Sequence, residues 1–160
     1  MSEWTTIWPF WRKPRDSASA GTVELIRGFT TADRTISQDL TVEGEAWKLE
    51  ADQSRVVKLF EVASPEAAVD DCLVTYRAKL RSANLNGQAF LEMWCRLPAK
   101  GEFFSRGLLQ TMSGTTEWAS YETPFRLKKG QRPDLIKLNL VVEGQGTVWI
   151  RDIELLKTAR

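Results

Sequence analysis

Three stretches of this chain alternate apolar and polar residues with a period of two, and this pattern restricts its fold more than any other feature. They are residues 72–81, 89–97 and 136–142. Successive side chains of an extended strand point to opposite faces, so this alternation is typical of β-strands with one buried and one polar face. Weaker patterns of the same kind are found at residues 23–29, 35–42, 46–51, 55–63, 119–127 and 147–156.

Turn signals separate these stretches. The sequence Asn-Leu-Asn-Gly at residues 84–87 lies between the first two, which we therefore predict to form a hairpin. Glu-Gly-Gln-Gly at residues 143–146 predicts another turn, ahead of the last strand. Many short strands, with no helix long enough for a parallel crossover, predict an all-β protein. We expect a two-sheet antiparallel β-sandwich.

The first residues differ from the rest of the chain. We divide the sequence into an aromatic and basic arm at residues 1–21 and one domain at residues 22–160, a length that can bury a core of its own. In the arm, Trp4, Trp8 and Trp11 have the spacing of one helical face, although Pro9 interrupts it. Two interpretations are open: the arm packs on the domain, or it contacts a membrane interface or a partner.

Composition argues against several classes of function. The chain has no histidine, so the commonest general base and metal ligand is missing, and we expect neither an enzyme nor a cofactor. The net charge of +1 gives no basic excess for nucleic acid. Cys72 and Cys95 are expected to be buried thiols. Without a membrane span or a secretory signal, a cytoplasmic location is the default expectation.

Four segments together resemble the galactose-binding-like jelly-roll superfamily, which includes many carbohydrate-binding modules. They are residues 27–29 (Arg-Gly-Phe), 90–94 (Phe-Leu-Glu-Met-Trp), 113–118 (Ser-Gly-Thr-Thr-Glu-Trp) and 146–155 (Gly-Thr-Val-Trp-Ile-Arg-Asp-Ile-Glu-Leu). The resemblance covers roughly residues 22–157 and implies a β-sandwich of jelly-roll type.

The resemblance also raises the question of a structural calcium ion. In the metal-binding members, an acidic residue after the Gly-Phe of the first strand joins an aspartate of the last strand at the ion. Here Phe29 is followed by Thr30, so Asp152 is the only matching position and no metal is expected. The other interpretation of Asp152 is a bulge in the last strand. Such a bulge lets the apolar residues on both sides of it face inward: Val148, Ile150, Ile153 and Leu155.

The polar faces of the predicted strands supply a candidate ligand-binding face. If the apolar sets point inward and the strands share a sheet, one surface carries Arg77, Lys79, Glu92, Trp94, Arg96, Lys137 and Asn139, with Phe90 at one end. An indole can stack on the apolar face of a sugar while charged and amide groups bind its hydroxyls. The alternative is an ordinary solvated face, and an exposed Trp94 keeps the binding hypothesis open.

A second candidate is the segment at residues 98–107, which we predict to be a loop. Phe103, Phe104 and Arg106 are its candidate contacts, and the alternative is that both phenylalanines cap the core. Trp47 and Trp118 are expected in the core, and Trp149 is compatible with either a core or an outward-facing position.

The leading functional hypothesis is a non-catalytic recognition module that resembles carbohydrate-binding domains. The rival is a protein-interaction or regulatory domain that keeps the fold without a sugar site. The expected partner is therefore a carbohydrate or a protein, not nucleic acid.

Overall fold

The computed structural model describes residues 21–64 and 69–159, and these residues form β-strands joined by turns and loops. The strands are β1 (Val23–Phe29), β2 (Thr41–Glu43), β3 (Ala46–Ala51), β4 (Arg55–Ala63), β5 (Cys72–Leu97), β6 (Gly101–Arg106), β7 (Met112–Leu127) and β8 (Leu135–Ala159). The all-β prediction is confirmed. Apart from Gly21, the predicted arm at residues 1–21 lies outside the described residues. Within the described ranges, no helix is long and apolar enough to span a membrane.

The two long strands β5 and β8 pair with each other in antiparallel register over almost their whole length. The register begins with Cys72 opposite Ala159 and ends with Arg96 opposite Leu135, with shifts near residues 78 and 84–85. The first half of β5 and the second half of β8 are flanked by β7, β1 and β3, with β2 beyond β3. We call this group the first layer. The other halves are flanked by β4 and β6 and form the second layer.

Ring contacts show that the two layers fold face to face. Phe29 on β1 pairs with Ile153, and Phe60 on β4 pairs with Leu138. On a straight strand these two positions of β8 would be about 50 Å apart. The Phe29 and Phe60 rings are nevertheless stacked, with centroids 4.0 Å apart. The eight strands therefore belong to one hydrogen-bonded network that doubles back into a sandwich.

The predicted hairpin at residues 84–87 is wrong, and so is the predicted turn at residues 143–146. Both segments lie inside continuous strands, β5 and β8. Gly87, Gly144 and Gly146 have positive φ angles of 126–150°, and at this point the two backbones approach each other too closely for a β-carbon. The glycines let the paired strands bend together into the next layer instead of reversing direction. The strand predicted at residues 35–42 is also wrong for most of its length, since β2 begins at Thr41.

One apolar core lies between the layers and receives alternate residues from most of the strands. Trp47 is in it, as predicted, whereas Trp118 is not. Trp118 lies half-buried on the outer face of the first layer, because alternation along β7 sends Leu127 and Thr123 inward and the even-numbered residues 118–126 outward. Trp149, on the same outer face, is 8% exposed and also lies outside the core cluster. Both cysteines are buried free thiols, as expected.

The interpretation of Asp152 as a bulge is confirmed. Arg77 pairs with Glu154 and Lys79 with Arg151, so β8 has one extra residue at this point. Asp152 has a φ angle of 54° there. The bulge changes the alternation, so that the apolar residues on both sides of it enter the core: Val148, Ile150, Ile153 and Leu155.

We expect Gly87→Ala to destabilise the domain far more than Gly44→Ala. A β-carbon at Gly87 would collide with the carbonyl group of Glu143 on the paired strand, whereas no atom lies within 4 Å of one at Gly44. Both glycines have positive φ, so the control carries a backbone cost of about 1–2 kcal/mol. The loss at Gly87 should exceed about 4 kcal/mol in urea unfolding. Equal losses would contradict the close approach of β5 and β8.

Candidate functional site

The outer face of the second layer holds a groove built from four neighbouring strands. Their register aligns side chains in two rows, which are Lys58–Asn139–Glu92–Arg106 and Glu61–Lys137–Trp94–Phe104. The groove has a volume of about 280 Å³. Ile36 adds to its wall, because the backbone amides of Ile36 and Ser37 donate hydrogen bonds to the carbonyls of Leu59 and Lys58 on β4.

Glu92 is the polar centre of this groove. Its side chain is 4% exposed, and both carboxylate oxygens accept hydrogen bonds. Oε1 accepts from Trp94 Nε1 at 2.9 Å and from Asn139 Nδ2 at 3.0 Å, while Oε2 accepts from Arg106 Nε at 2.7 Å. Burial by itself raises the pKa of Glu92, but the hydrogen bonds from Asn139, Arg106 and Trp94 outweigh it and hold the pKa below its ordinary value. The carboxylate therefore fixes three side chains from three strands.

An aromatic pair lies beside this carboxylate. The ring centroids of Trp94 and Phe104 are 5.2 Å apart with an interplanar angle of 56°. The Arg106 guanidinium lies 4.2 Å from the Phe104 ring centroid. Phe104 is 50% exposed and Trp94 is half-buried, so the pair offers open ring surface. Its orientation is fixed by the hydrogen bond from the indole to Glu92.

The charges of the groove are mostly neutralised within the protein. Lys137 Nζ lies 2.8 Å from Glu102 Oε2, and Arg106 pairs with Glu92. Lys58 and Glu61, of opposite charge, take part in none of the ion pairs of the described residues. The groove therefore has no net charge to offer. Trp94 lines the groove among polar side chains and Phe104 lies beside Trp94 at its edge, an arrangement suited to an uncharged ligand that has both hydroxyl groups and apolar faces.

The structure brings together part of the predicted ligand-binding face and separates the rest. The four predicted residues that meet in the groove are Glu92, Trp94, Lys137 and Asn139. Arg96 lies further along β5 and pairs with Asp134, 2.8 Å away, outside the groove lining. Arg77 and Lys79 lie in the first layer, so the prediction that they share a surface with Trp94 is wrong. The reason is that β5 passes from the first layer to the second between Lys79 and Trp94. Phe90 is 2% exposed and offers no contact surface.

The predicted loop at residues 98–107 is mostly the edge strand β6, so that prediction is also wrong. Phe104 pairs with Trp94 and Arg106 with Glu92, which places both on the groove face. Phe103 points to the opposite side of the strand. Neither phenylalanine belongs to the core, and their exposed fractions of 43% and 50% contradict the alternative that they cap it.

The sequence interpretation missed the contribution of β4. Val56 and Lys58 line the groove, together with Glu61 and Ile36. The alternation at residues 55–63 indicated that Val56 and Lys58 face away from the core. The pairing of β4 with the first half of β8 is a long-range contact, and no local signal predicts it.

The surroundings of Asp152 do not fit calcium. Lys79 Nζ lies 3.7 Å from Asp152 Oδ2 and Arg151 Nε lies 3.8 Å from it, so two protein cations neighbour this carboxylate. Thr30 lines the same cavity and supplies no charge. The described ranges contain no group of three or more acidic or other ligating side chains that could hold a metal. Calcium needs six to eight oxygen ligands, usually including several carboxylates.

We predict that Glu92→Gln lowers the free energy of unfolding by about 2–3 kcal/mol at neutral pH. The glutamine side chain has one acceptor oxygen where the carboxylate has two, so it cannot accept from Trp94, Asn139 and Arg106 together. Because folding lowers the pKa of Glu92, its contribution is present above the unfolded pKa of about 4.3 and is lost as the pH falls below it. Urea unfolding at pH 7 and pH 3 should therefore show a smaller difference between wild type and variant at pH 3. Glu102→Gln, at a half-exposed pair, is the control and should cost less than about 1 kcal/mol.

We also predict that calcium does not stabilise the domain. A ligand that binds the native state alone raises the melting temperature by mass action, so millimolar calcium and EDTA should give melting temperatures within about 2 °C of each other. Differential scanning calorimetry measures this directly. A clear rise with calcium would contradict the assignment of Asp152 to a bulge with neighbouring protein cations.

Solved structures with a similar fold are carbohydrate-binding modules. No family model and no curated protein matches the chain. The xylan-binding domain CBM22-1 of Paenibacillus barcinonensis Xyn10C aligns with a TM-score of 0.51 and 9% identity, over 88% of this chain and 99% of that one. A CBM22-1–GH10 fragment of Clostridium thermocellum xylanase 10B, complexed with xylohexaose, gives 0.52 and 6%, over 85% of this chain and 25% of that one.

A CBM4 structure aligns with a TM-score of 0.50 and 9% identity, over 75% of this chain and 76% of that one. Identities this low establish the fold alone. The β-sandwich fold predicted from the sequence is therefore confirmed, and these carbohydrate-binding modules have a similar fold.

Proposed function

We propose that this chain is a non-catalytic recognition module that binds a neutral polysaccharide in the groove of the second layer. The observation that carries the proposal is the Trp94–Phe104 pair, which is held in place by a buried and fully hydrogen-bonded Glu92. A site whose side chains are already fixed loses little conformational entropy when a ligand binds.

The chemistry of the groove matches that of a sugar. The C–H face of a pyranose ring stacks on aromatic rings, and Trp94 and Phe104 offer two of them side by side. The hydroxyl groups of the sugar can accept from the remaining N–H groups of Arg106 and from Lys58, and can donate to Glu61. Since the ion pairs within the groove are internal, a ligand needs no charge of its own.

The comparisons add support of a limited kind. One similar domain is described as xylan-binding, and another similar structure contains xylohexaose. These descriptions apply to those proteins, and the shared property is the fold. They make neutral plant polysaccharides the first ligands to test against this groove.

The state of Glu92 supports a binding role over hydrolysis. A glycosidase needs a carboxylic acid whose pKa is raised so that it can protonate the leaving group. The pKa of Glu92 is lowered, and its oxygens are occupied by Asn139, Arg106 and Trp94. Of the two other glutamates that line the groove, Glu102 is held by an ion pair with Lys137.

A protein-interaction domain is the second candidate, and one observation favours it. Leu108 and Leu109 follow Arg106 in the loop between β6 and β7, and their exposed fractions are 56% and 102%. Two neighbouring exposed leucines form an apolar loop tip of the kind that protein partners bury.

We expect Phe104→Ala to weaken glycan binding by about tenfold through the loss of one stacking ring. Phe103→Ala is the matched control, since Phe103 is similarly exposed on the opposite side of the same strand. This variant should bind the glycan with wild-type affinity. Isothermal titration calorimetry with xylohexaose, mannohexaose and cellohexaose measures both. If Phe103→Ala loses as much affinity as Phe104→Ala, the groove is not the binding surface.

Failure to bind any neutral glycan of this panel at millimolar concentration would contradict the proposed function. In that case Leu109→Ser tests the second candidate. It should abolish binding of a protein partner recovered by cross-linking, and wild-type affinity in this variant would contradict the second candidate as well.

A further inference from the structure

The outer face of the first layer, opposite the groove, carries a ladder of stacked cations and indole rings. The Arg81 guanidinium carbon lies 3.7 Å from the Trp149 ring centroid and 5.6 Å from that of Trp118. The Arg151 guanidinium lies 4.3 Å from the Trp118 centroid. These residues come from β5, β7 and β8, and with Lys79 we call them the Arg81 face.

One cation of this face has no carboxylate partner in the described part of the chain. Arg81 takes part in none of the ion pairs of the described residues. Arg151 and Lys79 share one carboxylate, Asp152, at 3.8 and 3.7 Å, which is too far for a strong charge-assisted hydrogen bond. Beside them, Glu43 accepts a hydrogen bond from Trp149 Nε1 and pairs with Lys48, so the cation left without a carboxylate is Arg81. An anionic ligand would complement it.

The stacking prepares both guanidinium groups for such a ligand. A guanidinium stacked on an indole uses its flat face and keeps its in-plane N–H groups for hydrogen bonds. Nε of Arg81 and Nε of Arg151 are buried without a hydrogen-bond partner, so the terminal amines carry the remaining donors. These can bind a carboxylate or sulfate in bidentate fashion, and the rings hold the side chains in place beforehand.

The cations are spread over two neighbouring strands, so several anionic groups of one polymer can reach them. Lys79 and Arg81 occupy alternate positions on β5, about 7 Å apart, and Arg151 is directly opposite Lys79 on β8. Nucleic acid is disfavoured, because single strands bind to open aromatic rings and the Trp149 ring is covered, with an exposed fraction of 8%.

We propose that the Arg81 face binds an acidic polysaccharide through its carboxylate or sulfate groups, as a second site independent of the neutral groove. Arg77 lies on the same strand but pairs with Glu154 at 2.8 Å, so it contributes less. The two surfaces belong to different layers, and the domain would thereby contact two kinds of polysaccharide at once.

Polygalacturonate and dextran sulfate are the test ligands, and inorganic sulfate and single-stranded DNA distinguish other anions. Biolayer interferometry of the full chain should show binding to at least one of the two polymers that weakens strongly between about 50 and 200 mM salt. Arg81→Met and Arg151→Met should each reduce affinity at least about tenfold. Arg132→Met removes the same charge from an exposed arginine that pairs with Asp70, and it should leave affinity within about twofold of wild type.

Arg81→Lys covers the case in which Arg81→Met fails to fold. It keeps the charge but loses the planar fork, so affinity should still fall several-fold. Three results would overturn the proposal: no binding of either polymer at low salt, equal losses in Arg132→Met and Arg81→Met, or DNA binding as tight as that of the polysaccharides. A fourth such result is displacement of the polymer by millimolar inorganic sulfate, since the face would then bind small anions without preference for a polysaccharide. Because these ligands are charged, failure here leaves the neutral-glycan titrations of the groove unaffected.

Discussion

The pairing of β5 with β8 is the constraint on which the rest of this structure depends. Two strands of about the same length run side by side through both layers, and each of the other strands except β2 pairs with one of them. The bend near Gly87 and Gly144 decides which part of each strand belongs to which layer. It therefore also decides which outward-facing side chains share a surface. The groove and the Arg81 face are the two outer surfaces that this bend creates.

The two faces use charge in opposite ways. In the groove, Glu92 is buried and its hydrogen bonds tie β5 to β6 and β8, so charge serves to fix the aromatic pair. On the Arg81 face, the indoles fix the two arginines, and Arg81 keeps donors that no carboxylate of the described residues occupies. We therefore propose neutral, stacking ligands for one sheet surface and anionic ligands for the other.

Local patterns in the sequence predicted strands well and connections poorly. The bounds of β1, β3 and β4 follow from the weaker strand patterns, and the bulge at Asp152 follows from the apolar residues on both of its sides. The segment at residues 84–87 has the composition of a turn, yet it continues as strand because β8 pairs along it. A pairing between residues so distant in sequence leaves no local signature, so composition alone suggested the wrong connection.

The same reasoning explains which site residues were predictable. Glu92, Trp94, Lys137 and Asn139 follow from alternation within two strands, and the structure brings them together. Arg77 and Lys79 follow from the same alternation, but the bend places them in the other layer. Trp118, expected in the core, lies on the Arg81 face, because alternation along β7 places it on the side opposite to Leu127 and Thr123.

The central claim is that the Glu92–Trp94 groove is the recognition surface, and the indole N–H resonances of the tryptophans test it most directly. In a ¹⁵N-labelled sample titrated with neutral hexasaccharides, the account predicts that the Trp94 indole, which donates to Glu92, and the Asn139 amide shift together and saturate. The resonance of the Trp149 indole, which donates to Glu43 in the first layer, should not shift. Saturable binding that moves Trp149 and leaves Trp94 unchanged would contradict the account, and so would the absence of any shift at millimolar ligand.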